Sequence, residues 1–323
     1  MKKPLAVAVV GPTASGKSSL AVKIAKHFTG EVVSADSMQI YKRMDIATAK
    51  VTAEEMQGVP HHLIDFVEPW ESFSVAEYKA LALSCIGDIV KRGKLPVLAG
   101  GTGFYVDTVI NNTSFLDYEK TDIRKKLLLR AENEGTEALW NELSKVDKES
   151  AEKIHKNDLK RIVRALELYS ATGKTMTEQR RLSHLEESGY SFCLIGLTAE
   201  NRQFLYDRID RRVDLMLKNG LLEEAKSFFE LEHSRTAKQA IGYKELRPYF
   251  DGVLTLEEAT ENLKRETRRY AKRQLSWFRR NKNINWLYID KESEGTLFIK
   301  SLEIIENFIE KAKGESDEEI PEL

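Results

Sequence analysis

The stretch LAVAVVGPTASGKSSLAVKIAKHF (residues 5–28) joins an apolar run, a glycine-rich loop and an amphipathic segment. Residues 5–10 are apolar throughout, which is typical of a strand buried on both faces of a parallel sheet. Leu20 and Ile24 recur at the spacing of one helical face. Between these elements, residues 11–18 match the pattern Gly-x-x-x-x-Gly-Lys-Ser, with a strand before it and a helix after it. The stretch therefore predicts a phosphate-binding loop in an α/β protein.

Further strands alternate with helices along the chain. Short apolar runs predict strands at residues 31–36, 95–101, 192–197 and 284–290. Ser74 and Glu77 form the sequence signature of a capping box, which predicts the start of a helix that runs to about Lys91. Strands and helices that alternate in this way predict right-handed crossovers and a parallel sheet.

The sequence pattern changes after Tyr105. Residues from 111 to about 188 are charged and helical in pattern, without a convincing strand. We therefore predict an α/β fold with a P-loop NTPase-like core (residues 1–110 and 190–313) and an inserted all-helical domain (residues 111–189). Residues 314–323 form an acidic tail that we expect to be disordered.

The amino-acid composition gives only a weak indication of the binding partners and of the cellular compartment. The chain has 323 residues and a formal net charge of -1, so the overall charge favours no particular partner. Two cysteines, far apart in sequence, suit a reducing cytoplasm. No apolar run is long enough to span a membrane, so we expect a cytoplasmic protein without a membrane partner.

The glycine loop predicts how a phosphate group would be held. Its backbone N–H groups and the helix N-terminus form an anion site, with Lys17 reaching the outer phosphate and Ser18 placed to ligate Mg²⁺. The strand that ends LAGGTGFY lacks the acid that usually holds the metal in ATP-using enzymes. The acid instead follows the second strand, as Asp36. It is placed either to accept a proton from a substrate or to cap the following turn, and the residues alone do not separate these roles.

Positive charge is clustered in three places. Arg208 and Arg212 share a helical face, suited either to a diphosphate or to ion pairs with Asp207, Asp210 or Asp214. Arg161 and Arg164 also share a face. Basic pairs at 264/265, 268/269, 272/273 and 279/280 form a stripe with aromatic residues nearby, which suits either a nucleic-acid backbone or a solvated helix.

Seven motifs together carry a resemblance. They are GPTASGKSSLA, SADSMQIYKRMDIATAK, VPHHLID, LAGGTGFYV, NDLKRIVRALE, AIGYKEL and RRYAKRQLSWFR. In this order, from about residue 5 to residue 282, they resemble the tRNA dimethylallyltransferase family, also called tRNA isopentenyltransferases. The chain lacks the Cys/His spacing of the zinc finger that eukaryotic members often carry, so it resembles the bacterial type, and we expect no zinc.

The resemblance implies a reaction. Members transfer a dimethylallyl group from dimethylallyl diphosphate to the exocyclic N6 amine of the adenine just 3′ of the anticodon, releasing pyrophosphate with the help of Mg²⁺. Their substrates are tRNAs that read codons beginning with U. The inserted domain and the core hold the anticodon stem-loop, and the flipped adenine meets the donor in a channel. We also expect a monomer.

The resemblance also assigns roles to residues of this chain. The loop would hold the donor diphosphate through Gly11, Pro12, Thr13, Ala14, Ser15, Gly16, Lys17 and Ser18. Thr13 would donate to the departing oxygen, and Asp36 would be the general base. Contacts to the target nucleotide are implied for Asp36, Ser37, Met38, Gln39 and Thr102. Other tRNA contacts are implied for Arg124, Lys160, Arg161, Ile162, Val163, Arg164, Gln239, Gly242, Tyr243 and Lys244.

Three other functions stay open beside this one. An adenylate isopentenyltransferase would use a similar core, but the helical insertion and the basic stripe argue against it. A small-molecule P-loop kinase and a non-catalytic RNA-binding protein are the more distant alternatives.

Overall fold

The computed structural model describes residues 3–116, 122–183 and 187–314. It divides the chain into a core unit, Met1–Ile110 with Gly189–Leu323, and a second unit, Asn111–Ser188. Of the predicted acidic tail, residues 315–323 lie outside the described residues.

A six-stranded parallel sheet forms the centre of the core unit. Its strands are β1 (Leu5–Val10), β2 (Glu31–Ser34), β3 (His61–His62), β4 (Pro96–Gly100), β5 (Ser191–Thr198) and β6 (Asn285–Tyr288). Their order is β3-β2-β4-β1-β5-β6, and every pair is parallel. The predicted α/β class is confirmed. The sequence pattern does not predict the strand β3, because two polar residues form no apolar run.

Helices cover both faces of this sheet. Those of the core unit are α1 (Lys17–His27), α2 (Ala53–Met56), α3 (Val75–Lys91), α4 (Gly103–Ile110), α10 (Arg202–Lys218), α11 (Leu221–Phe229), α12 (Tyr243–Phe250), α13 (Leu256–Phe278), α14 (Glu294–Gly314) and a 3₁₀ turn (Ala237–Gln239). Val7 and Val9 of β1 pack towards α1 and α14, whereas Ala8 and Val10 pack towards α3 and α4. The strand is therefore buried on both faces, as its apolar run predicts.

The predicted helix start at Ser74 has the expected chemistry. The Ser74 hydroxyl accepts from the backbone N–H of Glu77, and the Glu77 carboxylate accepts from that of Ser74, at 3.2 and 2.8 Å.

None of the helices among the described residues is long and apolar enough to cross a membrane.

The second unit is helical in its described residues. It contains α5 (Ile123–Glu134), α6 (Thr136–Val146), α7 (Lys148–Lys153), α8 (Leu159–Thr172) and α9 (Met176–Ser183). Its own hydrophobic core includes Leu139, Leu143, Ile162 and Leu166, all at most 1% exposed. The fold class that the sequence predicts includes such an inserted helical domain.

Candidate active site

The loop between β1 and α1 has the conformation of an anion site. Gly16 precedes the first helical residue in the left-handed region, with φ 88°, which glycine adopts without steric cost. A Cβ on Gly11 would lie 2.7 Å from the backbone oxygen of Leu197, so the loop also packs closely against β5. The loop leads directly into α1, and the first N–H groups of a helix have no partner within the helix, so they can bind a phosphate.

Lys17 lies in a partly desolvated position within this loop. Its Nζ is 3.4 Å from the backbone oxygen of Pro12. Loss of hydration lowers the pKa of Lys17 to about 8, a shift that the Asp36 carboxylate opposes and the Arg212 guanidinium increases. A lysine held this way gains most from an anion that restores the missing solvation.

Arg208 of α10 contacts the same loop, and Arg212 lies one turn further along that helix. Arg208 donates from Nε to the backbone oxygen of Ala14 at 2.8 Å. Burial lowers the pKa of Arg212, and the Asp36 carboxylate opposes that shift. Both arginines line the cavity in front of the loop.

The three acids that could have paired with these arginines have other partners. Asp210 accepts from Arg268 at 2.6 Å and Asp214 from Lys264 at 2.7 Å. Asp207 accepts from Gln203 at 2.8 Å. These contacts favour the diphosphate interpretation of Arg208 and Arg212 over the structural one.

Asp36 follows β2 at the carboxyl edge of the sheet and faces the cavity. Its Oδ1 accepts from the backbone N–H of Met38 at 3.0 Å, so the residue also forms a local turn. The next residue, Ser37, donates from its backbone to the Thr102 hydroxyl at 3.0 Å. This contact joins the ends of β2 and β4, and it places the nucleotide-contacting candidates side by side.

A cavity of about 910 Å³ collects most of the predicted residues. Its walls include Thr13, Ala14, Gly16, Lys17, Ser18, Asp36, Ser37, Met38, Gln39, Arg208, Arg212, Gln239, Gly242 and Lys244. All of them belong to the core unit. The geometry thus brings a phosphate loop and a carboxylate to one chamber, although they come from the ends of different strands.

Five residues of α13 line this chamber: Leu263, Thr267, Tyr270, Arg273 and Gln274. None of them is among the site residues that the resemblance implies. Two of them, Gln274 and Tyr270, carry polar groups near the loop and Asp36. The buried Gln274 accepts from the backbone N–H of Thr13 at 2.8 Å and donates to the backbone oxygen of Gly101 at 2.9 Å. Burial, followed by the Asp36 carboxylate, raises the pKa of Tyr270 well above its ordinary value, so this phenol stays protonated. Their signal is present in the sequence, since residues 270 and 274 share one helical face, but the surrounding basic residues obscure it.

Three of the predicted tRNA contacts have buried side chains, so a contact at these positions would have to come from the backbone. Ile162 and Val163 are fully buried in the core of the helical unit, and Tyr243 is 1% exposed within the core of the other unit. Their side chains stabilise the fold, because each occupies the apolar face of its helix. A motif consists of consecutive residues, but in a helix only some of these face outward. The motif therefore does not show which of its side chains can contact tRNA.

The other basic candidates of the helical unit lie at its surface. Lys160, Arg161 and Arg164 are exposed, and Arg124 is half-buried. Arg124 and Arg164 both donate to Glu167 at 3.1 Å, and Arg161 lies 3.4 Å from Asp158. Exposed ion pairs of this kind are weak, so their arginines can exchange partners for a phosphate.

The basic stripe of α13 separates into two columns. Lys264 and Arg268 are half-buried and pair with Asp214 and Asp210 of α10. Arg265, Arg269 and Arg273 form the second column and are exposed, and so is Lys272, which continues the first column. Lys264 and Arg268 are therefore structural, whereas Lys272 and the second column present charge at the surface.

Ser18 is the predicted metal ligand, and it lines the cavity. Among the described residues, no group of three or more His, Cys, Asp or Glu side chains could hold a metal ion. Mg²⁺ keeps several waters and commonly takes one or two protein oxygens together with substrate phosphates. The residues present fit a magnesium ion bound together with a diphosphate.

Comparisons with known proteins identify the family of this chain. The chain matches the family described as IPP transferase over residues 39–281 and the family described as isopentenyl transferase over residues 5–66. It is 52% identical over 288 residues to a tRNA dimethylallyltransferase of Caldanaerobacter subterraneus, with 88% of this chain and 91% of the relative covered. It is 47% identical over 292 residues to one of Bacillus subtilis, with 88% and 90% covered.

Two solved structures are similar over nearly the whole chain. A tRNA isopentenylpyrophosphate transferase of Bacillus halodurans aligns with a TM-score of 0.74 at 45% identity, covering 98% of this chain and 100% of that one. A eukaryotic dimethylallyltransferase acting on tRNA aligns with a TM-score of 0.78 at 31% identity, covering 94% and 80%. The family model, the relatives and the solved structures agree, and the chain belongs to the tRNA dimethylallyltransferase (IPP transferase) family.

Proposed function

We propose that this protein transfers a dimethylallyl group from dimethylallyl diphosphate to the N6 amine of the adenine 3′-adjacent to the anticodon, in tRNAs that read codons beginning with U. One observation carries the proposal: the phosphate loop and Asp36 face the same cavity of about 910 Å³. A cavity of this size accommodates a small donor and an extruded base together.

The loop end of the cavity holds the diphosphate. Backbone N–H groups at the start of α1, together with Lys17, Arg208 and Arg212, stabilise the negative charge that grows on pyrophosphate as the allylic C–O bond breaks. The Thr13 hydroxyl donates to the departing oxygen. Because these groups are fixed before the donor binds, little reorganisation is needed during the reaction.

Mg²⁺ is the cofactor of this proposal, with the Ser18 hydroxyl as its protein ligand. When bound together with the diphosphate, Mg²⁺ would supply positive charge that offsets part of the leaving-group charge.

The part of the cavity around Asp36 activates the adenine. The N6 nitrogen forms a bond to the allylic carbon while the C–O bond to the diphosphate breaks, and the amine proton passes to Asp36. An exocyclic amine is a weak nucleophile, so a positioned acceptor contributes directly to the rate. Ser37, Met38, Gln39 and Thr102 contact the target nucleotide.

The anticodon stem-loop binds mainly through its phosphates. The contributing residues are Arg124, Lys160, Arg161 and Arg164 of the helical unit, Gln239, Gly242 and Lys244 of the core unit, and the exposed basic residues of α13. Such contacts position an RNA without reading its sequence. We further expect one chain to act as a monomer in the cytoplasm.

The decisive experiment supplies radiolabelled dimethylallyl diphosphate with either unmodified tRNA or AMP. Label in tRNA supports the proposal, whereas label in AMP identifies an adenylate isopentenyltransferase. Label in neither acceptor favours a kinase or an RNA-binding protein. Rapid tRNA-independent ATP hydrolysis would likewise contradict a loop that serves a prenyl donor.

A further inference from the structure

A single carboxylate holds one wall of the cavity. Glu224 of α11 accepts hydrogen bonds from the backbone N–H groups of three consecutive residues, Asp45, Ile46 and Ala47, at 2.8, 2.7 and 2.9 Å. Hydrogen bonds to an ionised acceptor are stronger than those between neutral groups. Residues 45–52 line the cavity, so this carboxylate fixes part of its surface.

The same carboxylate joins a second wall segment to the first. The Tyr243 hydroxyl donates to Glu224 at 2.9 Å, and Tyr243 begins α12 next to the cavity-lining Gly242. A Cβ on Gly242 would lie 2.8 Å from the Cβ of Ala47, so the two segments are in direct contact. Glu224 therefore connects residues 45–47 with residues 242–243, although it does not line the cavity itself.

The wall that Glu224 holds also orients Gln39. The Gln39 side-chain amide donates to the backbone oxygens of Thr48 and Ala49, at 3.2 and 2.9 Å. Ala49 has a φ of 47°, a left-handed conformation that an alanine keeps only under the constraint of its surroundings. A displacement of residues 45–49 would therefore turn the Gln39 amide away from its position in the cavity.

The phosphate loop has its own, separate support. Gln274 holds Thr13, and Arg208 holds Ala14. None of the hydrogen bonds of Glu224 among the described residues reaches residues 11–18. The phosphate loop and residues 45–47 are thus fixed by different side chains.

We propose that Glu224 is a positioning residue for the acceptor end of the cavity, which sets the placement of the adenine through residues 45–49 and Gln39. The inference rests on the proposed function. Glu224 then affects how efficiently tRNA is used as a substrate and does not affect the binding of dimethylallyl diphosphate.

The test compares Glu224→Gln with Glu223→Gln. Glu223 is the exposed neighbour on α11, so the control removes the same charge from the same helix. We expect Glu224→Gln to lower kcat/KM for tRNA by at least about tenfold, since a displacement of about 1 Å near a reacting group is costly. The Kd for dimethylallyl diphosphate, measured by titration without tRNA, should stay within about twofold of wild type, and Glu223→Gln should match wild type in both.

Glu224→Asp provides the same measurement if the glutamine variant does not fold. It keeps the charge, but the shorter side chain cannot span all three amides, so it should show the same division between tRNA and donor. Wild-type kinetics in these variants, or equal losses for donor and tRNA, would overturn the inference alone. A wild-type protein that fails to label tRNA would overturn the proposed function, and the inference with it.

Discussion

Gln274 and Thr13 are joined by a hydrogen bond of 2.8 Å across 261 residues of sequence, from the backbone N–H of Thr13 to the side-chain oxygen of Gln274. The amide nitrogen of Gln274 donates in turn to Gly101, where β4 has just ended. One buried side chain therefore holds the phosphate loop against the neighbouring strand end.

Replacing Gln274 should weaken both folding and donor binding. Gln274→Ala leaves the Thr13 N–H and the Gly101 carbonyl without this partner, and an unsatisfied buried group costs about 1–3 kcal/mol. We expect a lower midpoint of urea unfolding and a higher Kd for dimethylallyl diphosphate. Gln203→Ala, which removes an exposed amide of α10, is the control and should change neither. Unaltered donor binding in Gln274→Ala would show that the loop holds its shape without this side chain.

Donor binding should depend on pH through Lys17. Its pKa is lowered to about 8 by desolvation, so the donor-free protein has a protonated Lys17 below pH 8 and a neutral one above it. A bound diphosphate favours the charged form, so binding above pH 8 must take up a proton, and affinity should fall by up to about tenfold per pH unit.

Calorimetric titrations in buffers of different ionisation enthalpy measure this uptake. We expect almost none at pH 7 and roughly one proton per site near pH 9. Lys17→Arg is the control, because its guanidinium stays charged in this range while the donor's own titration is unchanged. Equal uptake in the two proteins would assign the proton to another group.

Asp36→Asn should separate catalysis from binding. Asparagine keeps an oxygen for the Met38 N–H, so the turn after β2 is preserved while the proton acceptor is removed. We expect single-turnover transfer to slow by about 10²- to 10⁴-fold, the usual effect of removing a general base. Affinities for donor and tRNA, titrated separately, should change little. Transfer near the wild-type rate would leave Asp36 with only its structural role.

The paired and the exposed basic residues of α13 should respond differently to charge removal. Arg269→Gln and Lys272→Gln should weaken tRNA binding and make its log–log dependence on salt shallower by about 0.7–0.9 for each phosphate that the variant no longer neutralises. Arg268→Gln breaks the ion pair with Asp210, so it should lower thermal stability instead. A salt dependence that is the same in wild type and in the Arg269 and Lys272 variants would mean that this surface is merely solvated.

Neighbouring positions of α8 should also differ in whether their replacement lowers stability or weakens tRNA binding. Ile162→Ala removes a fully buried side chain and should cost about 2–5 kcal/mol of stability in the helical unit. Arg161→Gln, on the exposed face, should leave stability unchanged and weaken tRNA binding. Thermal unfolding and tRNA titration of both variants measure this contrast. An Ile162→Ala variant as stable as wild type would contradict this prediction.

Several features of this protein were determined by short stretches of its sequence. The glycine loop at residues 11–18, the apolar run of β1 and the capping box at Ser74 depend on residues a few positions apart. Each could therefore be predicted from spacing alone, and so could the parallel sheet, because strand–helix alternation leaves few other topologies.

Only the tertiary structure decided which side chain meets which. Arg268 and Arg269 are adjacent in a uniformly basic stretch, yet one pairs with α10 and the other faces outward. Glu224 reaches amides 177 to 179 residues away, and nothing in its local sequence indicates this. Local sequence sets backbone conformation through nearby hydrogen bonds and periodicity. The partner of a polar side chain, by contrast, depends on how distant elements pack, since the free energy of that interaction exists only after they have packed.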